Sequence, residues 1–155
     1  MRVEFYERVF LILSAVVLVI GLGAVGATVF AAGVHVPSPA GRVDAQQVNT
    51  TPPFDQPGLR EVSPGKYEAV MLAHIWAFTP NEIRVPAGSE VTFKVTSADV
   101  VHGFMIENTV INAMVIPGQI TEMTATFDQP GEHLIICHEY CGSGHHTMFG
   151  RVVVE

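Results

Sequence analysis

Apolar residues are distributed along this chain in two distinct ways. Residues 9–32 form a run of 24 without a single charge, about 36 Å long as a helix. About 20 apolar residues are enough to cross a bilayer. The run therefore predicts a membrane helix. A signal peptide is the rival reading, because Arg2 and Arg8 precede the run and the small residues Ala31, Ala32 and Gly33 close it. A signal-peptide core is shorter, about 7–15 residues, so the length favours a retained anchor. Gly21, Gly23 and Gly26, with Ala24 and Ala27, form a small-residue stripe that suits packing against other membrane helices.

Beyond residue 58 the pattern changes to short stretches of period two. Val91, Phe93 and Val95 alternate with Thr92, Lys94 and Thr96, and Met123, Ala125 and Phe127 share one face of a second stretch. Further strands are predicted at 68–74, 83–85, 103–106, 132–136 and 150–154. Pro80-Asn81, Pro86-Ala87-Gly88, Pro117-Gly118 and Pro130-Gly131 separate them. Short strands at this spacing predict an all-β sandwich or barrel. Between the run and the strands, residues 36–58 are rich in Pro and Gln, show neither period, and read as an extended linker. The expected organisation is an anchor over 1–35, a linker over 36–58 and one β domain over 59–155.

The chain's two cysteines sit in one loop, Cys137-His138-Glu139-Tyr140-Cys141-Gly142-Ser143-Gly144-His145-His146-Thr147-Met148. The spacing Cys-x3-Cys-x3-His-x2-Met gathers two thiols, an imidazole and a thioether, donors soft enough to suit copper. A second cysteine supplies enough sulfur to bridge two copper ions, whereas a mononuclear blue-copper site needs one. A disulfide would use the cysteines but leave His145, Met148 and the Gly-Ser-Gly bend unexplained. Zinc would accept two Cys and a His, but a thioether is a poor ligand for it. A further nitrogen donor should come from elsewhere, and His102, in a turn between two predicted strands, is the best placed. His138 and His146 read as exposed; His35, His74 and His133 lack a comparable setting.

Together these residues resemble subunit II of the haem–copper oxygen reductases, the subunit with a binuclear copper centre called CuA. The resemblance rests on the apolar run, the linker, Val101-His102-Gly103-Phe104 and the Cys-x-Glu-x-Cys-Gly-x-Gly-His-x-x-Met loop. One membrane span and a short chain make it similar to the B-type oxidases of bacteria and archaea. The resemblance implies a cupredoxin-like Greek-key β-barrel with one N-terminal transmembrane helix. It makes Cys137 and Cys141 bridging thiolates, with His102 and Met148 on one copper and His145 and the Glu139 carbonyl on the other. It implies electron relay from a c-type cytochrome to haem in a large subunit I that reduces oxygen to water. The CuA subunit of a nitric oxide reductase, or a membrane-anchored copper electron carrier, is the alternative.

Three further expectations follow from the resemblance. Trp76, the only tryptophan, matches an aromatic on the surface where the donor docks; core packing is the competing reading. Glu139 matches a residue that binds magnesium in many A-type members. Glu7, just before the span, matches a carboxylate at the mouth of a proton channel, although an interfacial Glu beside Arg8 has an ordinary explanation. Arg2 and Arg8 precede the span and only Arg42 follows it closely, which orients the N-terminus to the cytoplasm of a prokaryotic cell and the β domain outside its plasma membrane. The formal net charge is −7, and no nucleic-acid partner is expected.

Overall fold

The computed structural model describes residues 4–32 and 39–155. Arg2, His35 and the expected boundary at residues 35–36 lie outside the described residues. The chain divides into two units, the second beginning at Pro39. The first holds helix α1, Phe5–Ala31, 27 residues with no buried side chain. Leu, Ile, Val and Ala cover α1 on every side, so it has no polar face to turn to water, and lipid is the surrounding that suits it. Glu7 lies in its first turn, where a carboxylate opposes the positive end of the helix dipole.

The second unit is a two-sheet β structure. In chain order its strands are β1 (Gly41–Arg42), β2 (Gly58–Ser63), β3 (Lys66–His74), β4 (Ala77–Thr79), β5 (Glu82–Val85), β6 (Ser89–Ser97), β7 (His102–Ile106), β8 (Asn112–Val115), β9 (Gln119–Phe127), β10 (Gly131–Ile136) and β11 (Phe149–Val154). One sheet runs β1-β9-β6-β3-β2, with β4 also on β3, and the other runs β5-β11-β10-β7-β8. The pairs β3/β6 and β5/β11 are parallel and the rest antiparallel, the mixed crossing of a Greek-key barrel. All seven predicted strands are present, each longer by one or two residues at an end. The four that periodicity does not reveal are β1, β2, β4 and β8. They are short or lie at sheet edges, and β2 and β8 are mostly solvated.

The core lies between the sheets. Val91, Phe93 and Val95 of β6 face it, and so do Ala125 and Phe127 of β9, as the alternation predicts. Phe93 packs obliquely on Phe104 and edge-on to Phe127, with ring centroids 5.8 and 6.2 Å apart, favourable arrangements for aromatic pairs.

The linker expected over 36–58 needs correction for its described part. Gly41 and Arg42 pair with Ile120 and Gln119 of β9. Val48 and Phe54 are each only 1% exposed, in a second core with Val70 and Leu72. The cause lies in β3, where residues 69–73 are all buried. Ala69, Met71 and Ala73 face the barrel interior, so Val70 and Leu72 point outward. A strand that is apolar on both faces must be covered on both, and residues 39–57 supply the cover. Folded β structure thus begins well before residue 59.

Candidate metal centre

Three connections meet at one end of the barrel. Cys137 follows β10 directly, and Met148 precedes β11, so the strand pair anchors both ends of the loop; the Cys137 N–H donates to the Met148 carbonyl at 3.3 Å. Within the loop the His145 N–H bonds to Gly142 O, Met148 N–H to His145 O, and the Thr147 hydroxyl to Gly144 O at 2.7 Å. These bonds fold residues 145–147 into a single tight turn, bringing His145 and Met148 back towards the cysteines. His102 opens β7, the neighbour of β10.

The result is a compact cluster of donors. Both cysteines are free and buried, with their Sγ atoms 3.9 Å apart. His102, fully buried, holds Nδ1 3.9 Å from Cys137 Sγ. Cys141 Sγ is 3.6 Å from His145 Nδ1 and 3.6 Å from Met148 Sδ. The carbonyl of Glu139 is 3.3 Å from Cys137 Sγ. All six residues singled out in the sequence thus fall around the two thiols. By distance to sulfur, His102 and the Glu139 carbonyl go with Cys137, and His145 and Met148 with Cys141. The resemblance instead pairs His102 with Met148 and His145 with the Glu139 carbonyl, so grouping by nearest sulfur differs from the expected pairing. Burial first, and then the adjacent Cys137, push the Cys141 thiol up to about 11, so a metal must displace its proton.

His102 is oriented by a residue that sequence reasoning did not single out. Its Nε2 lies 2.8 Å from Asp99 Oδ1. Burial works against ionisation of Asp99, but hydrogen bonds from His102 and from the Ile75 and Val100 N–H groups outweigh it and hold the carboxyl below its usual range. An ionised carboxylate only accepts, so Nε2 carries a proton, and in the neutral ring Nδ1 is the nitrogen left free to bind a metal on the Cys137 side. An Asp three residues before the candidate His was the available signal.

Trp76 is 40% exposed and does not belong to the core. Its indole lies across the loop at Gly142 and Gly144, and a Cβ on Gly144 would come within 2.3 Å of the ring. Gly142 also adopts φ +119°, which side-chain-bearing residues rarely do. On the other side, the His138 ring lies against Gly103, where a Cβ would come within 2.5 Å of it; His138 is exposed, as expected, but is packed on one face. His146 is exposed. The Glu139 carboxylate has His138 Nδ1 at 3.8 Å and joins no group of three metal-ligating side chains among the described residues. One carboxylate is not a magnesium site.

Two soft thiols, two imidazole nitrogens, a thioether and a carbonyl suit copper in this arrangement and suit magnesium or calcium poorly. A two-sheet Greek-key barrel carrying such a loop at one end is a cupredoxin-like metal domain. Residues 66–155 match the family model described as cytochrome C oxidase subunit II, periplasmic domain. The chain belongs to the cytochrome c oxidase subunit II family. It is 39% identical over 154 residues to cytochrome c oxidase subunit 2 of Thermus thermophilus, covering 97% of this chain and 92% of that protein. Its structure is similar to a chain of a heme-copper terminal oxidase dimer solved by cryo-EM, with a TM-score of 0.64, 35% identity, and coverage of 97% and 99% of the two chains. The nitrous-oxide reductase of Stutzerimonas stutzeri is 34% identical over 94 residues, but only 15% of that protein is covered. With α1 long and apolar enough to span a bilayer, the chain is a membrane-anchored oxidase subunit.

Proposed function

We propose that this chain accepts electrons from a c-type cytochrome at a binuclear CuA centre and delivers them to haem in subunit I of a membrane oxidase, where oxygen is reduced to water. The convergence of four further donors on two free, buried thiols carries this reading. Cys137 and Cys141 would bridge the ions, His102 and Met148 would complete one, and His145 with the Glu139 carbonyl the other. Copper held by two bridging thiolates supplies a one-electron store that reorganises little on oxidation or reduction. The chain's own part is to keep the donors rigid and dry. Loop hydrogen bonds fix His145 and Met148, Asp99 fixes the His102 ring, and Trp76 shields the two glycines. EPR of the copper-loaded chain tests the proposal: a mixed-valence pair gives a many-line hyperfine pattern, and a lone copper gives four lines. The haem content of the co-purified complex separates an oxygen reductase from a nitric oxide reductase or a free carrier.

Electron input is assigned to the turn between β3 and β4. Ile75 and Trp76 are both exposed there, and the indole lies directly on the donor loop. Trp76→Ala is expected to lower the second-order rate of reduction by cytochrome at least tenfold, the loss of an aromatic hot spot at an interface. The copper spectrum should stay unchanged, because no ligand is touched. A normal rate in stopped-flow reduction removes Trp76 from the docking surface.

The orientation proposed is N-terminus in the cytoplasm and β domain outside the plasma membrane of a prokaryote, from Arg8 before the span and Arg42 after it. In that orientation Glu7, in the first turn of α1, would face the cytoplasm and take protons from bulk water into subunit I. Glu7→Gln should lower oxygen-reduction turnover while reduction of the copper centre by cytochrome stays normal, and Glu7→Asp should recover part of it. Full turnover in Glu7→Gln, with complete haem and copper, reduces Glu7 to an interfacial residue.

A further inference from the structure

One carboxylate joins the outer turn to the centre. Asp99 Oδ2 accepts the Ile75 N–H at 2.7 Å. Its Oδ1 accepts the Val100 N–H at 2.6 Å and faces His102 Nε2 at 2.8 Å. Asp99 is itself held from behind, its own N–H donating to Ser97 Oγ at 3.2 Å. Ile75 directly precedes Trp76, and His102 Nδ1 faces Cys137. Two parts of the molecule that are 27 residues apart in sequence are therefore fastened by a single side chain, with one oxygen assigned to each. No other hydrogen bond from a side chain to the backbone of the Ile75–Trp76 turn is present among the described residues.

We propose that Asp99 is a positioning residue that sets the geometry of the donor-docking turn and of His102 together. The proposal rests on the copper-relay reading for the role of His102, and on hydrogen-bond geometry alone for the clasp itself. A carboxylate is the group that can do this, since both oxygens accept. An amide of the same shape offers one oxygen and one NH2. In Asp99→Asn the oxygen is drawn to the Oδ1 side, where the Val100 N–H, His102 Nε2 and, more distantly, the Ser97 hydroxyl converge, and the NH2 is left against the Ile75 N–H. That arrangement releases the turn and leaves His102 with a weaker, neutral partner.

The test uses the full chain, first metal-free and then loaded with copper. Trp76 is the only tryptophan, so its fluorescence reports on the turn without any metal. Asp99→Asn should shift the emission to longer wavelength and raise quenching by acrylamide. In the loaded protein two coppers should remain, with a raised potential from loss of a nearby negative charge. Reduction by cytochrome should slow about tenfold, the scale of one lost charge-assisted hydrogen bond. Because that slowing acts through the turn, Asp99→Asn should add nothing to Trp76→Ala in a double-mutant cycle. Asp99→Glu, which keeps the charge and both acceptors, should recover part of the rate. Unchanged Trp76 emission, or strictly additive rate effects, overturns the clasp. Should the unmutated chain load a single copper, the relay reading fails instead, and the metal-free fluorescence still decides on the clasp.

Discussion

Cys141→Ser is expected to abolish two-copper binding, leaving at most one ion per chain and a four-line EPR signal in place of the many-line pattern. Cys141 is one of the two hubs of the cluster: its Sγ lies within 4 Å of Cys137 Sγ, His145 Nδ1 and Met148 Sδ. A hydroxyl is a harder donor and holds its proton at neutral pH, so it neither bridges two soft ions nor balances their charge. The fold should survive, because serine is close to cysteine in size and the loop turn is held by backbone bonds and Thr147. Met148→Leu is the informative contrast. It removes the weakest donor while filling the same buried space, so both ions should stay and the reduction potential should shift. Metal analysis with EPR on the two variants checks the pair. A Cys141→Ser protein that still binds two coppers with an unchanged spectrum would defeat the assignment of both sulfurs as bridges.

Phe54→Ala should destabilise the β unit by about 3–5 kcal/mol, the usual loss for a fully buried phenylalanine, and lower its Tm by on the order of 10 °C or more. Phe54 is 1% exposed and fills the outer side of β3 with Val48, Val70 and Leu72. Val62→Ala makes the control: Val62 is 60% exposed, and surface changes of this kind stay within about 0.5 kcal/mol. Thermal unfolding of both variants, followed by far-UV circular dichroism, measures the difference. Equal melting would return residues 39–57 to the status of a passive tether.

The two variants probe opposite kinds of legibility. The donor loop could be read directly, because a metal site built on a twelve-residue loop keeps most of its ligands close in sequence, and the turn that folds them together is itself local. His102, 35 residues from Cys137, stood out among seven histidines only by its place in a turn between two predicted strands, a weaker signal than the loop's spacing. Phe54 and Val48 stand six residues apart in a proline-rich stretch with no period, so nothing local marks them as buried. The signal lay elsewhere, in the unbroken apolar run of β3, which demands a second cover without saying which segment provides it. Asp99 shows the same asymmetry. Its nearness to His102 is visible in the sequence, whereas its bond to the Ile75 N–H is not.

From its sequence alone this chain is an apolar helix, a set of alternating strands and a loop of soft donors, because these follow from side-chain chemistry within a few residues of one another. Tertiary structure decided how the pieces act on each other. It laid Trp76 over Gly142 and Gly144, put His138 against Gly103, closed residues 39–57 over Val70 and Leu72, and gave the two oxygens of Asp99 to two different connections. The pairing of β7 with β10 sets His138 beside Gly103 and that of β3 with β6 brings Asp99 to Ile75, while the other two contacts join the two sheets or lie outside them. The registers of these pairings depend on which faces the whole core buries, a property that no short window of residues contains.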